Sequence, residues 1–169
     1  MKKYLLIAAI AFTAALSACE PSGKQNSNSS QANETTAGLQ TDTAKVYNAY
    51  LQVKNDLVKT DGNAAKGSAG ELAKTLNAIK GCAEATNLAK NMAATNDIKS
   101  QRILFLQLSQ DVIPLVKGMK SKKETIYIAY CPMADEGKGG YWLSAQKEIK
   151  NPYYGDEMLE CGEVKEEIK

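Results

Sequence analysis

The chain has no histidine among its 169 residues, and this absence excludes whole classes of functional site. Without imidazole, neither a Ser-His nor a Cys-His nucleophile pair can form, and the commonest protein ligand of transition metals is missing. The sequence also offers no recognisable pair of acid and base side chains. We therefore expect a protein that is not an enzyme.

An excess of charge of either sign is also missing, since 21 Lys and Arg residues accompany 19 Asp and Glu residues. Proteins that bind nucleic acid through its phosphates carry a marked basic surplus. We therefore expect no nucleic-acid partner. The single arginine, Arg102, lies among apolar positions and is expected to be solvated or to extend its charged head to the surface.

Long apolar runs are absent except at the N-terminus, where residues 5–15 follow two lysines. A run of this length is shorter than the roughly 20 residues that span a bilayer, and it is typical of a secretory signal. The segment ends in Leu16-Ser17-Ala18-Cys19, which resembles the lipobox of bacterial lipoproteins. We predict that residues 1–18 are removed as a signal peptide; the alternative is an ordinary secretory signal followed by an unmodified cysteine.

Lipidation of Cys19 would anchor the protein to a membrane. Glu20 does not resemble the aspartate that retains lipoproteins in the inner membrane, so we expect an exported protein held at the outer membrane and facing the periplasm. Residues 19–38 are predicted to be the lipidated cysteine and a disordered tether, because the Ser, Asn, Gln and Thr residues of this segment cannot build a core. Residues 39–169 then form one domain.

Four stretches of this domain have apolar residues at helical spacing. Asp61 and Asp97 are placed to cap the second and fourth helices, which are expected to end near Gly81 and Gly118. Pro114 is expected to kink the fourth helix or to end its regular hydrogen bonding one turn early. The pattern predicts an antiparallel four-helix bundle. The apolar positions are Val46, Tyr50, Val53 and Leu57; Leu72, Leu76 and Ile79; Leu88 and Met92; and Ile98, Phe105, Leu108, Val112 and Leu115.

The periodicity changes after Lys123. Two runs rich in β-branched and aromatic residues, 125–130 and 141–143, flank a glycine-containing loop and predict a short hairpin. Residues 163–169 are interpreted as a charged, solvated tail. The predicted fold class is therefore mainly α, an antiparallel four-helix bundle with a small C-terminal β-hairpin element.

Sulfur-bearing residues are the one chemical cluster of the C-terminal part. Cys131 and Met133 end the first predicted strand, and Met158 and Cys161 are three residues apart in the last segment. Thiolate and thioether sulfurs prefer Cu(I) to hard cations, so these four residues are candidate ligands of Cu(I) or Ag(I). One alternative is a Cys131–Cys161 disulfide, stabilising by roughly 3 to 4 kcal/mol, with the methionines in the core. The other is that the thiols remain unpaired. Cys82 is expected to be a buried small hydrophobe.

Aromatic residues crowd the same region. Tyr130, Trp142, Tyr153 and Tyr154 form a possible interaction surface, because tyrosine and tryptophan are enriched at interface hot spots. The alternative is that these rings are the core of the β element.

The chain resembles a family of periplasmic domains of unknown function over roughly residues 46–164. Members of that family occur as lipoproteins and as a C-terminal domain of adaptor subunits of copper and silver efflux pumps of the resistance-nodulation-division class. The matching residues are Tyr47-Asn48-Ala49-Tyr50-Leu51, Lys54, Leu57, Asp61, Arg102, Phe105, Leu108, Ser109, Tyr130-Cys131-Pro132-Met133, Trp142-Leu143-Ser144, Asn151-Pro152-Tyr153-Tyr154-Gly155, Met158 and Cys161-Gly162.

This resemblance implies a helical bundle and a role in heavy-metal handling. It favours a membrane-anchored lipoprotein that binds a soft metal ion and has an efflux adaptor as partner. The alternative function is a metal-free interaction module that docks on another envelope protein and whose Cys131–Cys161 disulfide is structural.

Overall fold

The computed structural model describes the backbone of residues 31–119 and 124–169, and their side chains from residue 41 onward. The predicted signal peptide, the predicted lipidation site at Cys19 and the first part of the predicted tether lie outside the described residues. In the described part of the chain, no helix is both long enough and apolar enough to cross a membrane.

Helix α1 covers Gln31–Val58. It therefore begins inside the segment that was predicted to be a disordered tether, and the structure differs from that prediction over residues 31–38. The sequence here contains good helix formers, including Ala32, Glu34 and Ala37. Adding residues to an existing helix is also much easier than nucleating one.

Three further long helices follow: α2 (Gly62–Asn77), α3 (Ala83–Ala93) and α4 (Ile98–Lys117). Both predicted caps form. The Asp61 carboxylate accepts hydrogen bonds from the backbone N–H groups of Asn63 and Ala64 at 3.1 and 2.9 Å, and the Asp97 carboxylate accepts one from Ser100 N at 2.9 Å. These bonds satisfy donors that would otherwise be unpaired at a helix N-terminus.

Details of α3 and α4 differ from the predicted pattern. Leu88 of α3 is only partly buried, and the buried face of this helix is made mainly of small residues such as Ala85 and Ala89. Pro114 lies inside α4 without ending it: the Pro114 carbonyl accepts from Gly118 N at 3.1 Å, so the helix continues for its last turn.

Each long helix packs against the next along the chain, and α1 also contacts α4. The buried residues of these contacts include the predicted apolar positions of α1, and they share one core with the sheet. The structure is thus mainly helical, while the antiparallel four-helix bundle stays a prediction.

The C-terminal part forms a three-stranded antiparallel sheet, so the predicted two-stranded hairpin is incomplete. Its strands are β1 (Ile126–Cys131), β2 (Gly140–Ser144) and β3 (Glu163–Ile168), in the order β2-β1-β3. A short helix, α5 (Ala134–Gly137), joins β1 to β2, and a 3-10 turn (Gly155–Glu157) precedes β3.

Strand β3 corrects the interpretation of residues 163–169 as a tail. Tyr130 of β1 lies opposite Tyr141 on one side and opposite Glu163 of β3 on the other. The charged side chains of β3 remain exposed, as they were expected to be. Charged residues are a common feature of edge strands, because they hinder pairing with a further chain.

Candidate functional site

The structure brings two of the predicted sulfur ligands into contact. Cys131 is the last residue of β1, and Cys161 lies two residues before β3, so the pairing of these strands places the two side chains together. Their Sγ atoms are 3.0 Å apart. Because a disulfide bond measures about 2.05 Å, the two thiols are adjacent but not bonded to each other.

The two thiols differ in environment. Cys131 is completely buried and Cys161 is partly exposed. The hydrogen bond with Cys131, together with burial, raises the pKa of the Cys161 thiol above its ordinary value. Cys161 therefore holds its proton at neutral pH, and a metal ion that binds there has to displace it. Cys82 is buried at the start of α3, as predicted.

Asn151 fixes the loop that carries Cys161. Its side chain is fully buried, and its Nδ2 donates to the carbonyl of Cys161 at 2.7 Å, while its Oδ1 accepts from Tyr153 N at 2.8 Å. Its backbone N–H also donates to Leu159 O at 2.8 Å. One side chain thus joins the two ends of this loop. The sequence indicated Asn151 only as a turn former, and its position before Pro152 was the available signal.

Arg102 holds the same loop from the helical side. Its Nε donates to the carbonyl of Pro152 at 3.1 Å, and its Nη2 donates to Thr60 Oγ1 at 3.1 Å. Arg102 is only partly buried, and its guanidinium joins α4 to the loop and to the α1–α2 connection. Gly155 makes this contact possible, because a Cβ there would lie 2.5 Å from Arg102 Nη2.

The two predicted methionine ligands lie near the thiols in sequence, Met133 two residues after Cys131 and Met158 three residues before Cys161. The side chain of Met133 is 53% exposed, and its carbonyl accepts a hydrogen bond from Tyr154 Oη at 2.6 Å. Met158 is partly buried, and its carbonyl accepts from Cys161 N at 3.1 Å. Burial, followed by the charges of the neighbouring thiols, raises the pKa of the Tyr154 hydroxyl.

The distance between the two Sγ atoms lies between the value in a disulfide and the value in a metal-bound pair of thiolates. A metal bound to two thiolates at about 2.3 Å each holds the sulfurs roughly 3.8 to 4 Å apart in trigonal or tetrahedral geometry. The observed 3.0 Å is about 1 Å shorter than that and about 1 Å longer than a disulfide. Cys161 is on a loop and partly exposed, so it is the residue that has room to move.

Carboxylates and further thiols do not complete a metal site here. Among the side chains of residues 41–119 and 124–169, no group of three or more His, Cys, Asp and Glu residues is arranged to hold a metal ion. A sulfur site of more than two ligands at Cys131 and Cys161 would therefore use thioethers, and Met133 and Met158 are the predicted ones.

Two of the four predicted interaction residues belong to the core. Trp142 is fully buried, and Tyr153 is 7% exposed. Their rings meet edge to face with centroids 5.8 Å apart, and Tyr153 also contacts Phe105 at 6.1 Å. Through Tyr153, Trp142 of β2 is packed toward Phe105 of α4. Because both rings are buried in this contact, they do not line a free surface.

The other two, Tyr130 and Tyr154, are partly exposed. Tyr141, another of the aromatic residues that crowd this region of the sequence, is 47% exposed, and its ring lies 4.6 Å from that of Tyr130. Lys165 of β3 lies over the Tyr130 ring at 5.5 Å. The alternation of residues along β2 explains why Trp142 is buried while Tyr141 is exposed.

Comparison with known proteins gives one match. Residues 46–124 match the model of a family described as "Protein of unknown function (DUF3347)". This supports a domain-of-unknown-function family for the helical part of the chain, from Val46 in α1 to Glu124 just before β1. The four predicted sulfur ligands lie beyond the matched residues. No curated protein and no solved structure matches the chain.

Proposed function

We propose that this protein is a lipid-anchored protein of the bacterial envelope that binds a soft metal ion, Cu(I) or Ag(I), through the thiolates of Cys131 and Cys161. The observation that carries this proposal is the 3.0 Å contact between two thiols from different parts of the chain. Soft thiolate ligands select Cu(I) over hard cations. Met133 and Met158 supply the additional thioether ligands.

Exposure of the site supports a role in transfer of the ion. Met133 is more than half exposed and Cys161 partly exposed, whereas Cys131 is buried. A metal ion would thus reach Met133 and Cys161 from solvent, and the buried Cys131 would bind it from the interior side. Such a site suits delivery of the ion to a heavy-metal efflux adaptor or its storage.

The proposal is tested by competition with a Cu(I) chelator. The full chain, purified in mild detergent and kept reduced without oxygen, should take Cu(I) from bicinchoninate. Cys161→Ser should lower the affinity by about a hundredfold, and Met133→Leu by about tenfold, which correspond to roughly 2.7 and 1.4 kcal/mol. Met92→Leu, a change in the core of α3, is the matched control and should leave the affinity unchanged.

The affinity should also increase with pH. Because the pKa of the Cys161 thiol is raised, more protons have to be displaced at low pH than at high pH. The same competition at several pH values measures this dependence. Equal Cu(I) affinity in the unmodified chain and in Cys161→Ser would contradict the proposal.

A second function is favoured by the same contact. Closing the 3.0 Å gap by oxidation gives a structural disulfide, and the exposed pair Tyr130 and Tyr141 then offers an aromatic surface for another envelope protein. Native mass spectrometry of the chain purified without reductant or chelator from copper-supplemented cells separates the two functions. A mass lower by two hydrogen atoms, with Cys131 linked to Cys161 in the peptide map, supports the interaction module, and added copper supports the metal carrier.

Anchoring is tested separately. We propose that Cys19 carries the lipid and places the domain at the outer membrane, and the motif Leu16-Ser17-Ala18-Cys19 supports this. Labelled fatty acid should be incorporated into the unmodified chain and into Cys82→Ser, but not into Cys19→Ser. Incorporation that persists in Cys19→Ser would exclude this residue as the anchor.

A further inference from the structure

A second site lies away from the thiols, in a cleft between α1, the end of β2 and the 3-10 turn. The cleft has a volume of about 420 Å³. Three lysines line it, Lys54, Lys59 and Lys150, together with one acidic residue, Asp156. This volume lies within the range of roughly 300 to 1,000 Å³ that is usual for small-molecule sites.

Lys54 is the unusual member of this lining. Its residue is only 4% exposed, and within the described residues its ammonium has no carboxylate in ion-pair contact and no hydrogen-bond acceptor. Other lysines of the described chain, such as Lys117 with Glu166 at 2.6 Å, do have such partners. Among the described residues, Lys54 Nζ is not one of the fully buried unpaired polar atoms, so it opens onto the cleft, where an anion would stabilise its charge.

Lys150 strengthens this argument. It lines the same cleft, and its ammonium adds positive charge beside Lys54 although it also contacts Glu148 at 3.4 Å. Burial, with a smaller contribution from Lys150, lowers the pKa of Lys54 from 10.5 to about 8. The ammonium is therefore still mostly protonated at neutral pH, and an anion that entered the cleft would meet two positive charges.

The remaining lining limits the kind of anion. The carboxylate of Asp156 would repel an anion that carries a second negative charge, and Leu51 and Leu159 give the cleft an apolar wall. We propose that this cleft binds a small organic acid as its carboxylate, with the carboxylate between Lys54 and Lys150 and the apolar part against Leu51 and Leu159. None of the four sulfur ligands lines this cleft, so the proposal is independent of metal binding.

The test is a titration of butyrate into the full chain in mild detergent, with lysine Cε labelled with ¹³C and observed by NMR. The Lys54 and Lys150 signals should shift and saturate at millimolar butyrate. Lys54→Met should weaken binding by at least about tenfold. Lys66→Met, an exposed change on α2, is the matched control and should bind butyrate as the unmodified chain does. Lys54→Gln provides a second variant if Lys54→Met does not fold.

Inorganic phosphate is the second probe, because it carries negative charge without an apolar part. It should bind more weakly than butyrate. Tighter binding of phosphate would overturn the assignment to an organic carboxylate. Butyrate shifts that never saturate, or that are unchanged in both Lys54 variants, would overturn the cleft as a binding site.

Discussion

At the scale of single residues, Lys54 illustrates how a binding group reduces stability. Its pKa is lowered from 10.5 to about 8, mainly by burial. Between these two pH values the unfolded chain holds a proton that the folded chain has released, so the free energy of unfolding rises with pH across this window. Below pH 8 both states are protonated, and the penalty of burying the ammonium is fully present.

Replacing Lys54 should therefore stabilise the protein at neutral pH. A shift of this size corresponds to on the order of 2 kcal/mol after allowance for partial screening by solvent. We expect Lys54→Met to raise the free energy of unfolding at pH 7 by about 1 to 2 kcal/mol, with a gain that shrinks as the pH approaches 10.5. Urea unfolding at several pH values measures it, with Lys66→Met as control. A gain that is independent of pH would contradict the assignment of the penalty to this ammonium.

Gly155, in the loop that carries Cys161, should be costly to replace. It has φ +56°, and a Cβ there would lie 2.5 Å from both Arg102 Nη2 and Thr60 Oγ1 and 3.0 Å from a backbone carbonyl. Gly155→Ala should lower the free energy of unfolding by about 1 to 3 kcal/mol, because strain and a lost hydrogen bond add together.

Gly67 provides the matched control, since it lies inside α2 and a Cβ there would meet nothing within 4 Å. Gly67→Ala should stabilise by roughly 0.5 to 1 kcal/mol through helix propensity. Denaturant unfolding of both variants gives the comparison. Equal effects of the two changes would show that the contacts of Gly155 with Arg102 contribute nothing.

At the scale of elements, Tyr50 joins α1 to two others. Its hydroxyl lies 2.7 Å from Ser109 Oγ of α4 and accepts a hydrogen bond from Leu143 N of β2 at 3.3 Å. Its ring stacks on Phe105 with centroids 4.9 Å apart. Helices and sheet are thus connected by one fully buried side chain.

Removing only this hydroxyl should weaken the junction. Tyr50→Phe keeps the ring but leaves buried partners without a hydrogen bond, so we expect a loss of about 1 to 3 kcal/mol in the free energy of unfolding. Tyr127→Phe, on a partly exposed ring of β1, should change it by less than about 0.5 kcal/mol. Thermal unfolding followed by circular dichroism measures both, and similar losses in the two variants would refute the special role of Tyr50.

The elements also show how far sequence reasoning reaches. The helices are predictable because apolar periodicity and the caps Asp61 and Asp97 indicate them directly. Strand β3 is not predictable in this way, because only Val164 and Ile168 are apolar in a run of charged residues. The strand exists through its pairing with β1. Local patterns do not contain such tertiary pairing.

Some features of the candidate site were likewise predictable from the sequence, and others were not. From the sequence, Cys131 and Cys161 could form a disulfide, bind a metal ion together or remain unpaired. Their contact in the fold was not predictable from local patterns. The supports from Asn151 and Arg102 were not predictable as supports, because their partners are backbone carbonyls distant in sequence. The buried state of Lys54 likewise depends on segments that meet only in the folded chain.

At the scale of the whole molecule, the thiol pair controls how the C-terminal part is attached. A Cys131–Cys161 bond would close a loop that contains α5, β2 and the 3-10 turn, and would fix the start of β3 beside the end of β1. In the chain-entropy model, closing a loop of about 30 residues stabilises the folded state by roughly 3 to 4 kcal/mol. Oxidation should therefore raise the free energy of unfolding by about that amount, and denaturant unfolding with and without reductant measures it.

Oxidation and metal binding should exclude each other, because both use the electrons of the same two sulfurs. The disulfide holds the sulfurs at about 2.05 Å, whereas a metal ion requires roughly 4 Å. We expect the oxidised chain to bind no Cu(I), and the Cu(I)-loaded chain to resist disulfide formation by a mild oxidant such as oxidised glutathione. Mass spectrometry of alkylated peptides follows both reactions. Oxidation of the loaded chain at the rate of the metal-free chain would contradict ligation through these thiolates, and Met92→Leu should behave like the unmodified chain in each arm.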